Sequence, residues 1–388
     1  MPRFLTRREM IKGSVASAAL AFSRFPLAAF GGPETSTPVT PVAEIPVPFL
    51  DRLPTTNRPM VRWDQLTEWM TPAEDFFAVN HYGMAKVDAA QWKLEVTGLV
   101  RKPRTFSLDE IKARRRKEIV ATLECSGNGS SPTFMGAVGN TRWLGTPLAP
   151  LLRECGLDRQ GIEIVFFGAD EKTEKIKEND YLQNFARSLT IQDAMQDRIL
   201  LAYEMNGQPL EPGHGYPLRL IVPGWYGIAW VKWLKRIEVR DRRFMGRFMA
   251  RDYVTIRGEE RPDGIVWRES SVTRLNVKSA VARVLRRPDG TLRITGAAWT
   301  DGTPLKRVEL KIDDGPWLST QLYRQLHAEY AWTFWDYSWS NPEPGEHTIV
   351  SRAIDSNGII QPAADDPSIK LKKTYYEANQ QWPRRIRI

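Results

Sequence analysis

A single cysteine stands where an apolar run ends in a glycine turn. Residues 121–129 read Ala-Thr-Leu-Glu-Cys-Ser-Gly-Asn-Gly, and the cysteine is Cys125. A thiol at the end of a strand lies beside backbone that can approach a ligand closely, so this segment is a candidate site. Cysteine is more often buried and inert, and the residues alone leave both interpretations open. The second cysteine, Cys155, ends a predicted helix and is interpreted as structural.

A second candidate segment surrounds one apolar strand, residues 212–234. It contains His214, Arg219 and Lys232 among four glycines and three prolines. Three donor side chains on a flexible backbone suit an anionic ligand rich in hydrogen-bonding groups, such as a phosphorylated pterin. The alternative from these residues alone is a loop whose Arg and Lys are solvated.

The composition excludes several classes of protein. The 388 residues are 42% hydrophobic and include 14 Trp but only two Cys, which rules out disordered, collagen-like and disulfide-rich chains. With 55 Lys+Arg against 46 Asp+Glu, the net charge of +9 is compatible with an anionic ligand but does not indicate nucleic acid. The chain carries no glycine-rich dinucleotide fingerprint, phosphate-binding Walker loop, His-Glu-x-x-His or Cys-x-x-Cys-His motif. Its four His make a multi-histidine metal centre hard to assemble.

The N-terminus carries the features of an export signal. Arg7 and Arg8 come shortly before an uncharged, alanine-rich run over Gly13–Ser23. A membrane span needs about 20 apolar residues, so this run is too short to anchor the protein. We therefore predict a twin-arginine signal peptide over 1–30, a proline-rich arm or linker over 31–60, and a mature protein that is exported folded to the periplasm.

The rest of the chain predicts two domains. Helix and strand patterns mix over 61–270, which indicates an α+β domain, whereas short β runs separated by Asp-Gly, Pro-Gly and Asn-Gly turns over 271–388 indicate an all-β, immunoglobulin-like sandwich. The elements predicted for the first domain are alternating strands at Gln91–Val100 and Trp233–Val239, buried strands at Ile162–Phe167 and Leu218–Val222, a capping box at Ser107–Glu110, and a helix from Thr146 to its stop at Gly156. The strands predicted for the second domain are Leu292–Gly296, Arg307–Ile312, Tyr330–Phe334 and His347–Ala353.

Taken together, these segments resemble the sulfite oxidase family of molybdenum enzymes, in its bacterial, haem-free sulfite dehydrogenase form. The resemblance runs from about Trp63 to the C-terminus, some four fifths of the chain, and rests on the order and spacing of several motifs. The motifs are Phe76–His81, Leu123–Asn128, Thr141–Gly145, Phe167–Asp170, Leu201–Gly207, His214–Leu234 and Arg251–Tyr253. The family implies a molybdopterin-binding α+β domain of the sulfite oxidase fold, followed by an immunoglobulin-like dimerisation domain and hence a homodimer.

The resemblance also implies roles for individual residues. Cys125 matches the protein thiolate on molybdenum, Tyr253 the active-site tyrosine and Trp143 a wall of the substrate pocket. The residues that would hold molybdopterin and its phosphate are Asn80, His81, Asp170, His214, Arg219, Trp230, Val231 and Lys232. Two substrate arginines of vertebrate and plant relatives are replaced here by Val79 and Ser130, and Arg142 is the candidate substitute.

The function implied by the family is oxidation of sulfite to sulfate, by transfer of an oxygen atom from a molybdenum-oxo group. Since the chain has no haem, flavin or nicotinamide motif, the electrons would pass singly to an external acceptor, a c-type cytochrome. The two replaced arginines keep a second hypothesis open, in which the same cofactor acts on a sulfoxide, nitrate or a carrier-bound sulfur compound. A third hypothesis is a periplasmic binding protein without enzymatic activity.

Overall fold

A computed structural model describes residues 44–51, 53 and 59–388. The predicted signal peptide, and part of the predicted arm, lie outside the described residues. In chain order the strands are β1 (Ile45–Pro46), β2 (Lys93–Gly98), β3 (Arg104–Ser107), β4 (Lys117–Glu124), β5 (Val138–Pro147), β6 (Glu163–Ile176), β7 (Asn179–Thr190), β8 (Leu200–Met205), β9 (Gln208–Pro209), β10 (Arg219–Ile221), β11 (Leu234–Arg240), β12 (Val254–Arg261), β13 (Gly264–Ser271), β14 (Lys278–Arg286), β15 (Leu292–Trp299), β16 (Leu305–Ile312), β17 (Leu318–Ser319), β18 (Gln321–Leu322), β19 (Thr333–Trp339), β20 (Glu346–Asp355) and β21 (Arg384–Arg387). The α-helices are α1 (Leu108–Lys112), α2 (Leu148–Cys155), α3 (Ile191–Ala194), α4 (Arg247–Ala250) and α5 (Pro367–Lys370). None of these helices is long and apolar enough to cross a membrane.

The first part of the chain builds two five-stranded sheets, with strand orders β3-β2-β11-β6-β7 and β10-β8-β5-β4, the latter carrying β9 beside β8. The predicted capping box is confirmed, because Ser107 and Glu110 exchange hydrogen bonds at the start of α1. The predicted second helix is confirmed as α2, which buries its leucines and ends at Gly156 with a φ of 70°. These two signals lie at the ends of β3 and β5, one strand in each of the two sheets.

Strands β12 and β13 form a separate hairpin directly after Tyr253. The hairpin is held to the C-terminal segment by two backbone hydrogen bonds, Gly258 N–H to Leu371 O (2.8 Å) and Lys373 N–H to Ile256 O (2.9 Å). Residues 371–373 therefore lie next to β12, the strand that directly follows Tyr253.

The last part of the chain is mostly β. One sheet has the order β1-β14-β15-β19-β18 and the other β17-β16-β20-β21. Their apolar faces share one core, to which β14 contributes Val284, β16 contributes Leu310 and β20 contributes Ile349. Two features differ from the sequence-based expectation: α5 adds one helical turn capped by Asp366, and β1, from the predicted arm, pairs with β14 instead of standing free.

The two parts of the molecule share a second, larger core. The ring of Trp63 stacks on that of Trp299, at 6.1 Å between centroids, and the backbone N–H of Thr122 donates to Tyr330 O at 2.8 Å. Residues of β4 and β15 are thus buried together. The strand that precedes Cys125 is packed directly against the C-terminal part of the chain.

Candidate active site

A cleft of about 650 Å³ contains most of the residues singled out in the sequence. Its walls come from five stretches of chain: the segment before β2, the end of β4, the middle of β6 and β7, the region around β10, and the start of the β12–β13 hairpin. The predicted residues that line it are Asn80, His81, Cys125, Asp170, His214, Arg219, Trp230, Lys232 and Tyr253. Predicted residues up to 173 positions apart in sequence, from Asn80 to Tyr253, therefore converge on one cavity.

Cys125 presents its thiol at the end of β4. Its backbone is fixed by hydrogen bonds from its N–H to Ala137 O and from the Asn128 N–H to its own carbonyl, both 2.9 Å. The side chain is half-buried and forms no disulfide. Burial raises the pKa of the Cys125 thiol. A cation bound at the sulfur would offset this effect, since metal binding favours the thiolate.

Tyr253 and His81 form a hydrogen-bonded pair in the cleft, with 2.6 Å between Tyr253 Oη and His81 Nε2. The Tyr253 backbone has a φ of 58°, a strained conformation for a residue with a side chain, and its ring stacks on Tyr376 at 4.7 Å. Burial, assisted by Lys232, lowers the pKa of His81 to about 4. Burial also raises the pKa of Tyr253, so both groups are neutral at pH 7 and can hold a proton between them.

Two basic side chains, Arg219 and Lys232, line the part of the cleft that is formed by the region around β10. The Arg219 guanidinium donates to His214 O at 3.0 Å and Trp230 O at 3.3 Å. The Lys232 ammonium donates to Gly213 O at 2.9 Å and to Asn80 Oδ1. Among the described residues, no carboxylate forms an ion pair with either cation.

The charges in this part of the cleft respond to burial. Burial lowers the pKa of Arg219 to about 9, and burial beside Arg219 lowers the pKa of Lys232 to about 7. The same cause lowers the pKa of His214 to about 4 and raises the pKa of Asp170 to about 6. The cleft thus holds two cations against one carboxylate that is itself reluctant to ionise.

This arrangement fits an anionic, phosphorylated pterin. The Arg219 Nε is buried and has no hydrogen-bond partner among the described residues, and a phosphate oxygen would satisfy such a donor. The carboxyl of Asp170 and the amide of Asn80 suit the N–H groups of a pterin ring. The Cys125 thiol is the one soft ligand among the lining residues and suits a transition metal.

Three predicted residues lie outside the lining of the cleft, and two of these positions correct the expectation. Trp143 is fully buried behind the cleft, where its ring lies 4.8 Å from the Arg219 guanidinium, so it packs against Arg219 instead of forming a wall of the cleft. Arg142 points to the opposite face of β5 and pairs with Glu118 at 3.3 Å on the surface. Val231 is buried, and its carbonyl accepts from the Leu220 N–H at 2.8 Å.

Other residues of the cleft were not found from the sequence. Phe185 comes from β7, which lies in a stretch without a clear strand pattern, and its ring stacks on His81 at 5.2 Å. Ile228 and Trp233 lie on either side of the predicted cofactor residues 230–232, within the candidate segment 212–234, and that position is the sequence signal that indicates them. Val79 also lines the cleft, whereas Ser130 is exposed outside it.

Comparison with known proteins defines the class. The family description "Oxidoreductase molybdopterin binding domain" matches residues 81–248, and "Mo-co oxidoreductase dimerisation domain" matches residues 269–377. The protein is therefore a molybdenum-dependent oxidoreductase, and its cofactor is molybdenum held by molybdopterin.

Individual relatives narrow the class. The chain is 30% identical over 326 residues to "Sulfite oxidase, mitochondrial" of Drosophila melanogaster, with 76% of this chain and 56% of the relative covered. It is 30% identical over 328 residues to "Sulfite oxidase" of Gallus gallus, covering 78% and 70%. The crystal structure of the sulfane dehydrogenase SoxCD from Paracoccus pantotrophus matches with a TM-score of 0.71 and 25% identity, covering 94% of this chain and 95% of that one.

The chain belongs to the sulfite oxidase family. The resemblance stated from the motifs, the enzymatic class and the cofactor are confirmed. The chain spans little more than half the length of the Drosophila relative.

Proposed function

We propose that this protein oxidises a small sulfur compound in the periplasm, and that sulfite is the favoured substrate. We further propose that the electrons pass singly to a c-type cytochrome. The observation that carries the proposal is the convergence in one cleft of the Cys125 thiol, the Tyr253–His81 pair and a cationic pocket around Arg219. The relatives named sulfite oxidase support this choice of substrate. Family membership excludes the alternative of a binding protein without enzymatic activity.

Different residues of the cleft would bind the metal, the phosphate and the pterin ring of the cofactor. When bound, the molybdenum held by molybdopterin would supply two-electron redox chemistry coupled to transfer of an oxygen atom. Cys125 would hold the metal as a thiolate, while Arg219 and Lys232 would hold the phosphate. His214 and Asp170 would orient the pterin ring from the sides. These groups would hold the cofactor in the cleft that Tyr253 also lines.

Tyr253 would hold the substrate and a proton. Its hydroxyl carries one hydrogen, which is free to donate to a substrate oxygen when the neutral His81 ring donates its Nε2–H to Tyr253 Oη. We expect Tyr253→Phe to lower kcat at least about a hundredfold while molybdenum content stays unchanged. Tyr203→Phe is the matched control, because it removes a hydroxyl from β8 outside the cleft.

The absence of an arginine at position 79 favours a second candidate substrate. Val79 lines the cleft where the family places a substrate arginine, and Arg219 is occupied by backbone carbonyls. A less cationic opening suits a sulfur atom carried on a larger molecule better than free sulfite. SoxCD, which is named a sulfane dehydrogenase, covers 94% of this chain and supports the same candidate.

We further propose that the C-terminal part is an immunoglobulin-like sandwich and that it joins two copies of the chain. Its two sheets pack through one apolar core, as in such sandwiches, and the match to a dimerisation domain supports the homodimer. The domain bounds proposed are 61–270 and 271–388. Arg7 and Arg8 support export by the twin-arginine route.

The test is a titration of the oxidised enzyme with sulfite, followed through the absorption of the thiolate-to-molybdenum bond. Bleaching at one equivalent supports sulfite as the substrate. Bleaching only by a persulfide carried on a peptide or protein supports the second candidate, and bleaching by neither contradicts both.

A gain-of-function variant sharpens this test. Val79→Arg restores an oxyanion donor in the cleft, and a charge-assisted hydrogen bond contributes roughly 1.5–3 kcal/mol. We expect the KM for sulfite to fall about tenfold in this variant. An unchanged KM would show that position 79 does not face the substrate.

A further inference from the structure

A fully buried ion pair joins the two parts of the molecule next to Cys125. Lys278, the first residue of β14, places its Nζ 2.7 Å from Glu124 Oε1, and both side chains are at most 1% exposed. The same Nζ donates to Asn128 O at 2.6 Å and to Ala378 O at 2.9 Å. All three hydrogens of the ammonium group therefore have partners.

A second side chain from the same sheet completes the shell around the carboxylate. Trp299 Nε1 donates to Glu124 Oε2 at 2.8 Å. Lys278 and Trp299 are direct partners in the β14–β15 pairing, so one rung of the sheet presents both donors. The C-terminal part of the molecule thus binds both oxygens of a carboxylate that belongs to the catalytic part.

The contacts of Lys278 enclose the cysteine turn from both ends. Glu124 directly precedes Cys125, and Asn128 follows it by three residues. The side-chain amide of Asn128 also donates, through Nδ2, to Glu124 Oε1 at 2.9 Å. Gly129, with a φ of 91°, leaves the space that the ammonium needs, since a Cβ there would lie 2.8 Å from Lys278 Nζ. Backbone on either side of the thiol is therefore fixed by one lysine.

We infer that Lys278 and Trp299 are positioning residues, through which the C-terminal part of the molecule sets the place and orientation of the Cys125 sulfur. The inference rests on the proposed role of Cys125 as the molybdenum ligand. A buried ion pair gives little net stability compared with apolar packing, so stability alone does not account for a pair at this location. Groups that orient a ligand typically change metal affinity or activity ten- to hundredfold when they are lost.

The first test uses the full chain produced without molybdenum and measures hydrogen exchange of the amides over residues 125–130. The variants are Glu124→Gln combined with Lys278→Met, which leaves no unpaired charge, and the milder Trp299→Phe. We expect at least tenfold faster exchange in the double variant and a smaller acceleration in Trp299→Phe. The matched control is Arg384→Met, which breaks the ion pair between the buried Arg384 and the partly exposed Asp51, at 2.8 Å, and should leave these amides unchanged.

The second test uses the molybdenum-loaded enzyme. We expect the double variant to show a shifted thiolate-to-molybdenum absorption band and a tenfold or greater loss of kcat, whereas Arg384→Met keeps the wild-type band. Wild-type exchange rates together with a wild-type band in the double variant would overturn the inference. Equal acceleration in Arg384→Met would overturn it as well, because the effect would then be general destabilisation.

The two proposals fail in different ways. If the wild-type enzyme shows no absorption band that depends on Cys125, the proposed metal ligand is wrong whatever the exchange rates show. If that band is present and the double variant leaves both it and the exchange rates unchanged, only the positioning role is wrong.

Discussion

The partly buried Lys232 and the fully buried Lys278 have opposite surroundings. Lys232 lies in the cleft with Arg219 nearby, and its partners are a carbonyl and an amide oxygen. Lys278 lies at the junction of the two parts, where a carboxylate and two carbonyls use all its hydrogens. Burial beside Arg219 disfavours the charge of the first side chain and lowers its pKa to about 7, whereas the second side chain forms an ion pair with Glu124.

The contrast separates a binding site from a structural one. A charge without a counterion in a cavity is stabilised when an anion enters, so its energy is available for binding. A charge that is already paired, with all its hydrogen-bond donors used, has no free donor for a ligand, and its contacts fix the position of neighbouring residues. The two lysines therefore predict different responses to mutation and to pH.

The largest effect is expected from removing the one soft ligand of the cleft. Cys125→Ser should abolish activity and the thiolate-to-molybdenum absorption while the circular dichroism spectrum stays unchanged. Cys155→Ser is the matched control, because that thiol is buried at the end of α2 and does not line the cleft. Retained turnover in Cys125→Ser would remove the basis of the proposed site.

A smaller effect is expected from removing a cation that has no counterion. Arg219→Met should lower cofactor affinity roughly tenfold to a hundredfold, since it deletes a charge-assisted bond to the phosphate. Arg187→Met is the control, because Arg187 is also buried and bonded to carbonyls, with 2.5 Å to Val272 O, but does not line the cleft. Molybdopterin content per folded molecule is the measurement, and equal losses in both variants would contradict the distinction.

The comparison also predicts a pH dependence of the cofactor-free protein. The Lys232 pKa is about 7 in the folded state against 10.5 as the reference, so between these values the unfolded chain binds more protons. The contribution of Lys232 to the free energy of unfolding should therefore rise from pH 7 to about 10. Affinity for inorganic sulfate should fall over the same range, because the cation is being lost. Both trends should be absent in Lys232→Met, and parallel trends in that variant would assign them to other groups.

The smallest effect is expected on the surface. Arg142 pairs with Glu118 at 3.3 Å with both side chains about half exposed, and such pairs contribute little. Arg142→Ala should change the free energy of unfolding by less than about 0.5 kcal/mol and leave the KM for substrate unchanged. A raised KM in this variant would indicate that Arg142 contacts the substrate after all.

Much of the fold could be predicted where a pattern reports burial. The strand predicted over Ile162–Phe167 is confirmed as the start of β6, because that half of the strand is buried in the sheet. The outer half, to Ile176, was missed because it pairs with β7 in a largely exposed hairpin. The β12–β13 hairpin was missed for the same reason. Backbone pairing without a buried face leaves no alternation in the sequence.

The candidate site shows a similar limit. Donor-rich segments indicated the residues of the cleft, but adjacency in sequence was misleading for Arg142 and Trp143, whose side chains leave β5 on opposite faces. The contact between Glu124 and Lys278 could not be predicted from the sequence, because it depends on how the sheet of β4 packs against the sheet of β14. Residue type predicted what could bind, whereas tertiary packing decided which residues reach the cavity.

The contact between Lys278 and Glu124 also has a consequence during protein synthesis. The two residues are 154 positions apart, so the cysteine turn leaves the ribosome well before the lysine that fixes it. At typical elongation speeds this delay is roughly 8–30 seconds. During that interval the nascent chain lacks the lysine that contacts the cysteine turn, so we expect the turn to reach its final geometry only after the C-terminal strands have emerged.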